Sequence, residues 1–188
     1  IPMARIELLN GLQMQACIQY SKLEGFEAKP TLFMEFHGSE SSVAEQVAQL
    51  EDICREFGGS AFKWAESTEQ RNELWKARHN AYHATQQLQA NSKVLTTDVC
   101  VPISKLAKSI LQAEQDAHAS QLPCTLVGHV GDGNYHLLIV IDPTDHAQVA
   151  RAKQLSAQVV DTALKLGGTC TGEHGIGVGK KDYLKVEH

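Results

Sequence analysis

TLVGHVGDGNYHLLIVI, residues 125–141 of the chain, contains two apolar runs separated by a glycine-rich turn. The runs Thr125–Val130 and Tyr135–Ile141 have the composition of β-strands. An Asp-Gly dipeptide between such runs, here at 132–133, is a strong signal for a two-residue type I′ turn. That turn would pair His129 with His136 on one face of the sheet, with their Cβ atoms ~5 Å apart. The stretch therefore predicts a β-hairpin that presents two imidazoles side by side.

Helix and strand signals alternate through the rest of the chain. We expect strands at Arg5–Leu9, Thr31–Phe36, Ala61–Ala65 and Val94–Val101, and helices at Leu12–Leu23, Ser42–Phe57, Ser67–Gln89, Ser104–Ser120 and Asp145–Leu166. Capping-box patterns, Ser42 with Glu45 and Ser67 with Gln70, mark two of the helix starts. This alternation favours an α+β fold of ferredoxin-like type, with a mostly antiparallel sheet and helices packed on one face. No repeat or linker interrupts the pattern, so residues 1–188 are expected to form one domain.

Composition excludes several classes of protein. A hydrophobic content of 43% and a charged content of 21% are ordinary for a soluble globular protein. The net charge of -5 argues against nucleic acid binding, which needs a basic face. The five cysteines form no C-x-x-C pair, which argues against a disulfide framework or a thiolate zinc site and favours a reducing compartment. No apolar run approaches the ~18 residues of a transmembrane helix, and no signal or transit pattern is evident.

The two histidines of the hairpin are candidate metal ligands. Imidazoles at the predicted separation can both reach one divalent ion at ~2.0–2.1 Å. The residues around His129 and His136 are mostly apolar or glycine, so a metal, water or another ligand is needed to satisfy the four ring nitrogens. The alternative is a cross-strand pair of partly buried histidines that only pack together. We favour the metal site.

A glycine-rich segment near the end of the chain, Thr171–Lys180, reads TGEHGIGVGK. It is not a Walker loop, because His174 and Lys181 stand where that motif needs glycine and serine or threonine, and the Rossmann spacing fails as well. A carboxylate beside an imidazole, Glu173 with His174, instead suits a third metal ligand next to a general base. Two histidines and a glutamate with an open position are typical of catalytic metal sites. The alternative is a mobile surface loop with two solvated side chains.

Arg78 is the third unusual residue, because it falls within or beside the apolar face of the helix expected at Ser67–Gln89. That face is formed by Leu74, Ala77, Ala81, Thr85 and Leu88. An arginine near a core-facing stripe needs an anionic partner, and its guanidinium matches a carboxylate with two hydrogen bonds. Arg78 is therefore a candidate for binding a substrate carboxylate. The alternatives are that it reaches solvent, or that it pairs with Glu73 or another acidic residue.

Three strings together resemble a known family. TDVCVP (97–102), GHVGDGNYH (128–136) and TGEHGIGVGK (171–180) look like the FAD-linked oxidase carboxy-terminal domain. Within that family they look most like D-lactate dehydrogenases of the mitochondrial, cytochrome-linked type and the corresponding flavoprotein of glycolate oxidase. The resemblance covers essentially the whole chain. It implies a ferredoxin-like cap domain of a longer polypeptide, in which the FAD-binding domain precedes this segment.

The resemblance also implies roles for the candidate residues. His129, His136 and Glu173 correspond to ligands of a divalent metal, zinc or manganese. His174 corresponds to the proton acceptor, and Arg78 to the residue that holds the substrate carboxylate. The implied reaction is oxidation of D-lactate, or a similar small 2-hydroxy acid, to the 2-keto acid with hydride transfer to FAD. Because the flavin half is missing, this chain alone is expected to be inactive.

Substrate and partners follow from the same resemblance. Relatives that act on D-2-hydroxyglutarate have lysine and asparagine where this chain has Thr96 and Leu138, which favours a small monocarboxylate. Expected partners are the substrate, the FAD-binding domain of the same polypeptide and a cytochrome-type or quinone-type electron acceptor. The expected location is cytoplasmic or peripheral at the inner membrane in a bacterium, and mitochondrial in a eukaryote. The alternatives are a component of glycolate oxidase, a metal hydrolase with two histidines and a glutamate, and a non-catalytic module that binds a metal or small acid.

Overall fold

The computed structural model describes residues 1–65 and 67–188, with Ala77 described by its backbone alone. The strands are β1 (Arg5–Leu9), β2 (Thr31–Glu35), β3 (Lys93–Thr96), β4 (Val99–Cys100), β5 (Cys124–His129) and β6 (Asn134–Ile141). The helices are α1 (Gly11–Ser21), α2 (Glu40–Glu56), α3 (Thr68–His79), α4 (Ala81–Gln86), α5 (Ile103–Ser120), α6 (His146–Lys165) and α7 (Lys181–Glu187). Within the described residues, no helix is both long and apolar enough to cross a membrane.

The strands form one antiparallel sheet in the order β2-β1-β5-β6-β3, and β4 also pairs with β6. The predicted α+β class and antiparallel pairing are therefore confirmed. The helices, however, cover both faces of the central strands instead of one. Along β6, Leu137 packs into a cluster with α5 and α6, whereas Leu138 packs into a second cluster with α1 and α4. The reason is that β6 has no solvated polar face, and all eight of its residues are buried.

The β5–β6 hairpin has a different register from the predicted one. His129 pairs with Asn134 and Val127 pairs with His136, so the loop contains four residues, 130–133, and the prediction of a two-residue turn was wrong. The two ends of this loop form hydrogen bonds with other segments and not with each other. The Val130 amide donates to Ile6 O at 3.2 Å, and Gly133 O accepts from Val101 N at 3.0 Å. A shift of two residues keeps side chains on the same face of a strand. His129 and His136 therefore remain neighbours, now across a diagonal.

Several predicted boundaries also changed. The predicted strand Ala61–Ala65 does not form, and Ala61 itself has a left-handed φ of 57°, which is incompatible with an extended strand. The predicted helix Ser67–Gln89 divides into α3 and α4 at Asn80, whose ψ of 3° departs from the helical range. The capping box of Ser67 is present, whereas α2 begins at Glu40, two residues earlier than predicted, because Ser39 caps it instead of Ser42. The side chain of Ala77, predicted on the apolar face, lies outside the described part of the chain.

Burial on both faces of β6 gives a test by paired substitutions. Leu137 and Leu138 are 1% and 3% exposed on opposite faces, so replacing either by alanine should lower the free energy of unfolding by about 2–5 kcal/mol. The control is Leu32→Ala on β2, where 45% of the residue is exposed and the change should stay within about 0.5 kcal/mol. Urea unfolding followed by circular dichroism measures all three. A neutral Leu138→Ala would contradict helix packing on the second face.

Candidate metal and substrate site

The three predicted metal ligands lie together at the end of the β5–β6 hairpin. His129 ends β5, His136 lies in β6, and Glu173 reaches them from the glycine-rich loop. Glu173 Oε1 lies 2.9 Å from His136 Nε2 and 3.4 Å from His129 Nε2. The two rings meet edge to face with their centroids 5.9 Å apart. One carboxylate oxygen thus faces one nitrogen of each ring, and one atom from each residue lies within 4.8 Å of the others.

The hydrogen bonds of His136 fix which ring nitrogen faces Glu173 with a lone pair. Its Nδ1 lies 3.0 Å from Thr97 O, and because a carbonyl only accepts, Nδ1 must carry the hydrogen. Burial lowers the pKa of His136, which favours the neutral ring. Nε2 then presents a lone pair to an ionised carboxylate at 2.9 Å. Two acceptors at this distance repel each other unless a proton or a metal ion lies between them, and a set of two imidazoles and a carboxylate fits a divalent metal ion.

His129 is oriented by a side chain instead of a backbone carbonyl. Its Nδ1 lies 2.8 Å from Glu7 Oε1, so Nδ1 donates to the carboxylate and Nε2 is left facing Glu173. This hydrogen bond is also the main cause that raises the pKa of His129. Burial by itself would raise the pKa of Glu7, but the hydrogen bond from His129 and the charge of Arg78 lower it below its usual value. Glu7 therefore acts as an ionised acceptor.

Arg78 pairs with that same glutamate. Its Nε and Nη2 lie 3.2 and 2.9 Å from Glu7 Oε2, and only 13% of its side chain is exposed. Of the alternatives for Arg78, the structure shows a pair with another acidic residue, in this case Glu7 from β1. Arg78 and His129 also border one cleft of about 470 Å³. The cleft is lined by Ala4, Arg5, Glu7, Trp75, Arg78, His79, His129 and Asp132.

A buried carboxylate, Asp98, holds the glycine-rich loop in place. Its Oδ2 accepts from the Thr171 hydroxyl at 2.9 Å and from the backbone amides of Gly172 and His174 at 2.9 Å each. The amide of Glu173 also donates to it, at 3.1 Å. Burial alone would raise the pKa of Asp98, but these hydrogen bonds lower it far below its ordinary value. Asp98 therefore fixes the backbone from which Glu173 and His174 project.

Two further residues complete this anchor. Asn134 donates from Nδ2 to Asp98 Oδ1 at 3.0 Å and to Val99 O at 2.8 Å. Lys180 donates from Nζ to the backbone oxygen of Asp98 at 2.9 Å. A side chain at Gly172 would overlap the Asn134 amide, which explains the glycine at that position. The loop is thus packed against β6 at Gly172 and held at its end by the hydrogen bond of Lys180 to Asp98.

His174, the predicted proton acceptor, lies beside the ligand set and remains accessible. Its ring stacks on that of His136 with centroids 4.8 Å apart and an interplanar angle of 9°. His174 Nε2 lies 3.7 Å from Glu173 Oε1, and 49% of the His174 side chain is exposed. The ring therefore stands where a bound small molecule could reach it.

Sequence reasoning missed Glu7 and Asp98. Asp98 lies inside TDVCVP, one of the strings that carried the resemblance, and Glu7 is an acidic residue between apolar positions of a predicted strand. An acid in such a position signals a buried, paired carboxylate. That signal was present in the sequence, but it does not show which residues Glu7 and Asp98 pair with.

The family model described as "FAD linked oxidases, C-terminal domain" matches residues 1–188. A probable mitochondrial D-lactate dehydrogenase of Danio rerio is 46% identical over 187 residues, which are 100% of this chain and 37% of the relative. A mitochondrial D-lactate dehydrogenase [cytochrome] of Arabidopsis thaliana is 40% identical over 100% of this chain and 33% of its own length. Glycolate oxidase subunit GlcD of Bacillus subtilis is 29% identical over 98% and 39%. The chain spans about a third of the length of these curated relatives.

Solved structures share the fold at low sequence identity. A 4-ethylphenol oxidase from Gulosibacter chungangensis has a TM-score of 0.63 and 11% identity, covering 97% of this chain and 43% of its own. A p-cresol methylhydroxylase has a TM-score of 0.55 and 13% identity, covering 87% and 38%. These similarities show the fold, and the chemistry must be argued from the site residues.

The anchor predicts a strong effect of Asp98→Asn. An amide cannot accept from all of the donors that converge on Asp98, so the free energy of unfolding should fall by about 2–4 kcal/mol. Because folding lowers the pKa of Asp98, its stabilisation is present above the ordinary pKa of about 4 and is lost as the pH falls toward the folded value. Between about pH 5 and about pH 2 the unaltered protein should therefore lose more stability than the variant. Denaturant unfolding at several pH values measures this.

The matched control is Asp52→Asn, which removes an exposed carboxylate from α2. It should leave both the stability and its pH dependence nearly unchanged. Equal acid sensitivity of Asp98→Asn and the unaltered protein would show that Asp98 does not anchor the loop as an ionised group.

Proposed function

This chain belongs to the family of FAD linked oxidases, C-terminal domain, and we propose that it is the substrate- and metal-binding part of an FAD-dependent D-lactate dehydrogenase. The reaction is oxidation of D-lactate, or a similar small 2-hydroxy acid, to the 2-keto acid. The names of the relatives that are 46% and 40% identical over the whole chain support this activity. The observation that carries it is the convergence of His129, His136 and Glu173 beside a cleft bordered by Arg78.

We infer that a divalent ion, zinc or manganese, is held by Nε2 of His129, Nε2 of His136 and the carboxylate of Glu173. Support comes from the contact of Glu173 Oε1 with His136 Nε2 at 2.9 Å and from the two acceptors, Glu7 Oε1 and Thr97 O, that hold a hydrogen on Nδ1 of each ring. Two imidazoles and a carboxylate suit both metals. When bound, such an ion polarises the substrate hydroxyl and makes its proton easier to remove.

The chain's own residues then have separate tasks. Arg78 binds the substrate carboxylate from the side of the cleft and sets the orientation of the acid. His174 accepts the proton of the α-hydroxyl at Nε2, the nitrogen that lies 3.7 Å from Glu173 Oε1. As the proton leaves, the α-hydrogen departs with its electron pair and the carbonyl double bond forms. When bound, FAD supplies the hydride acceptor.

The flavin is held mainly by another part of the polypeptide under this proposal. The family name implies an FAD-linked enzyme, and this chain matches only about a third of its relatives' length. We infer that the electron acceptor of the flavin is of cytochrome or quinone type; the name of the Arabidopsis relative, which includes "cytochrome", supports the former. In a eukaryote the protein is mitochondrial, by analogy with the relatives from Danio rerio and Arabidopsis.

The residues near His136 support a small substrate. Thr96 pairs with Leu138, and Leu138 is 3% exposed within the apolar cluster formed with α1 and α4. These two positions offer no cation to a second carboxylate. A monocarboxylate such as D-lactate or glycolate fits better than a dicarboxylate. The relationship to glycolate oxidase subunit GlcD makes glycolate the alternative substrate.

Turnover by the intact protein tests the reaction and the role of Arg78. D-lactate should reduce the bound flavin and an artificial dye, and Arg78→Lys should raise KM at least about tenfold, because an ammonium cannot reproduce two parallel hydrogen bonds. Arg71→Lys, at an exposed position two turns earlier in the same helix, is the matched control and should leave KM unchanged. Faster oxidation of glycolate than of D-lactate would transfer the assignment to the alternative. An unchanged KM in Arg78→Lys would move carboxylate binding to another residue.

Elemental mass spectrometry tests the metal. The purified intact protein should contain about one divalent ion per chain, and His136→Ala should lose most of it. His118→Ala removes an exposed imidazole from α5 and should keep the full metal content. Full occupancy in His136→Ala would rule out the hairpin as the metal site.

A further inference from the structure

Glu7 is a buried carboxylate at the centre of β1, between two parts of the candidate site. It is 4% exposed, and its neighbours along the strand are the apolar residues Ile6 and Leu8. β1 pairs with β5 so that Glu7 lies directly opposite His129, and cross-strand partners project from the same face of a sheet. Position 7 is therefore fixed beside a candidate metal ligand by the backbone pairing alone.

Both oxygens of this carboxylate are used, each for a different residue. Oε1 accepts from His129 Nδ1 at 2.8 Å, and Oε2 accepts from Nε and Nη2 of Arg78. A buried ion pair usually contributes little net stability, because desolvation of both charges offsets their attraction. An apolar residue at position 7 would meet the needs of the strand equally well. This favours a role in the site over a role in the fold.

For His129, the consequence is a fixed tautomer. Because an ionised carboxylate can only accept, Nδ1 carries a hydrogen, and in the neutral ring the lone pair of Nε2 therefore points at Glu173, 3.4 Å away. His136 obtains the same tautomer from a backbone carbonyl, that of Thr97. The rings of the two candidate ligands are thus oriented by different groups: His136 by a backbone carbonyl and His129 by the side chain of Glu7.

For Arg78, the consequence is that the guanidinium is held by its Nε and Nη2 edge. Glu7 engages Nε and Nη2, and among the residues that the structure describes none forms a hydrogen bond with Nη1. Arg78 and Glu7 both border the cleft that reaches His129. The same carboxylate therefore holds the candidate substrate-binding arginine and the candidate metal ligand in one arrangement.

We propose that Glu7 is a positioning residue of this site, which orients His129 Nε2 toward the metal and Arg78 toward the substrate carboxylate. The proposal rests on the proposed function, because it assigns Glu7 to the same site. It adds a coupling: a change at Glu7 alters metal binding through His129 and substrate binding through Arg78, although Glu7 itself binds neither the metal nor the substrate.

Glu7→Gln is the decisive variant, because the amide has one acceptor and one donor. Arg78 can only donate, so it takes the amide oxygen, and the amide NH₂ then donates to Nδ1 of His129. The ring hydrogen should move to Nε2, and Mn²⁺ affinity should fall about 10–100-fold. Glu7→Asp keeps the acceptor character and should retain the original tautomer. The control Glu35→Gln, which removes a carboxylate on the neighbouring strand β2, should change neither readout.

Two measurements on the intact protein give the answer. Nitrogen-15 NMR of labelled histidine, without metal, identifies the tautomer of His129, assigned through the loss of its signals in His129→Gln. Titration with Mn²⁺ against a chelator gives the affinity, and circular dichroism confirms that each variant is folded. If Glu7→Gln does not fold, the tautomer in Glu7→Asp and the unaltered protein decides, since the Nε2–H form in either would overturn the proposal.

The outcomes separate this proposal from the proposed function. Retention of the Nδ1–H tautomer in folded Glu7→Gln, with Mn²⁺ affinity within twofold of the unaltered protein, would overturn the role of Glu7 and leave the metal site intact. Failure of the unaltered protein to bind Mn²⁺ would remove the metal from the proposed function. In that case the tautomer of His129 measured in Glu7→Gln still decides whether Glu7 positions His129.

Discussion

The hydrogen bonds between the Asp98 carboxylate and the backbone amides of residues 172–174 are the contacts on which the whole site depends. A glycine-rich segment has high conformational entropy, and without an anchor it would not hold a side chain in one place. Asp98 supplies that anchor from the connection between β3 and β4, and its burial makes each of these hydrogen bonds stronger than it would be in water. Glu173 can face His136 at 2.9 Å only because its own backbone is held in this way.

The acidic residues of the site divide by burial. Asp98 and Glu7 are buried and fully engaged, by backbone amides in one case and by Arg78 and His129 in the other. Glu173 is half exposed, and its contacts are with the Nε2 atoms of His129 and His136. The buried acids therefore orient other groups, while the exposed acid remains available to a cation.

The hairpin holds His129 and His136, the candidate metal ligands, in place because β6 is packed on both faces. Tyr135, Leu137 and Ile139 pack toward α5 and α6, while Leu138 packs toward α1 and α4. A strand fixed in this way has little freedom to twist or slide, so the ring of His136 is supported by the core from below. Sites built on such elements keep their geometry better than sites carried by loops. The loop that carries Glu173 and His174 obtains comparable order from Asp98.

Local sequence patterns determined the fold class and part of the site. The α+β class, the antiparallel hairpin and the shared face of His129 and His136 follow from patterns a few residues long. The shared face survived an error of two residues in the predicted register, because the side chains of a strand alternate with a period of two. Likewise, the need of Arg78 for an acidic partner follows from its place beside an apolar helix face.

Only the tertiary structure decided which acid that is. Glu7 lies 71 residues from Arg78 in the sequence and 122 from His129; the pairing of β1 with β5 places it opposite His129, whereas Arg78 reaches it from α3. Asp98 reaches the loop amides across more than 70 residues. Sequence patterns record the preferences of neighbouring residues, whereas a buried charge takes whichever partner the order of the strands places opposite it.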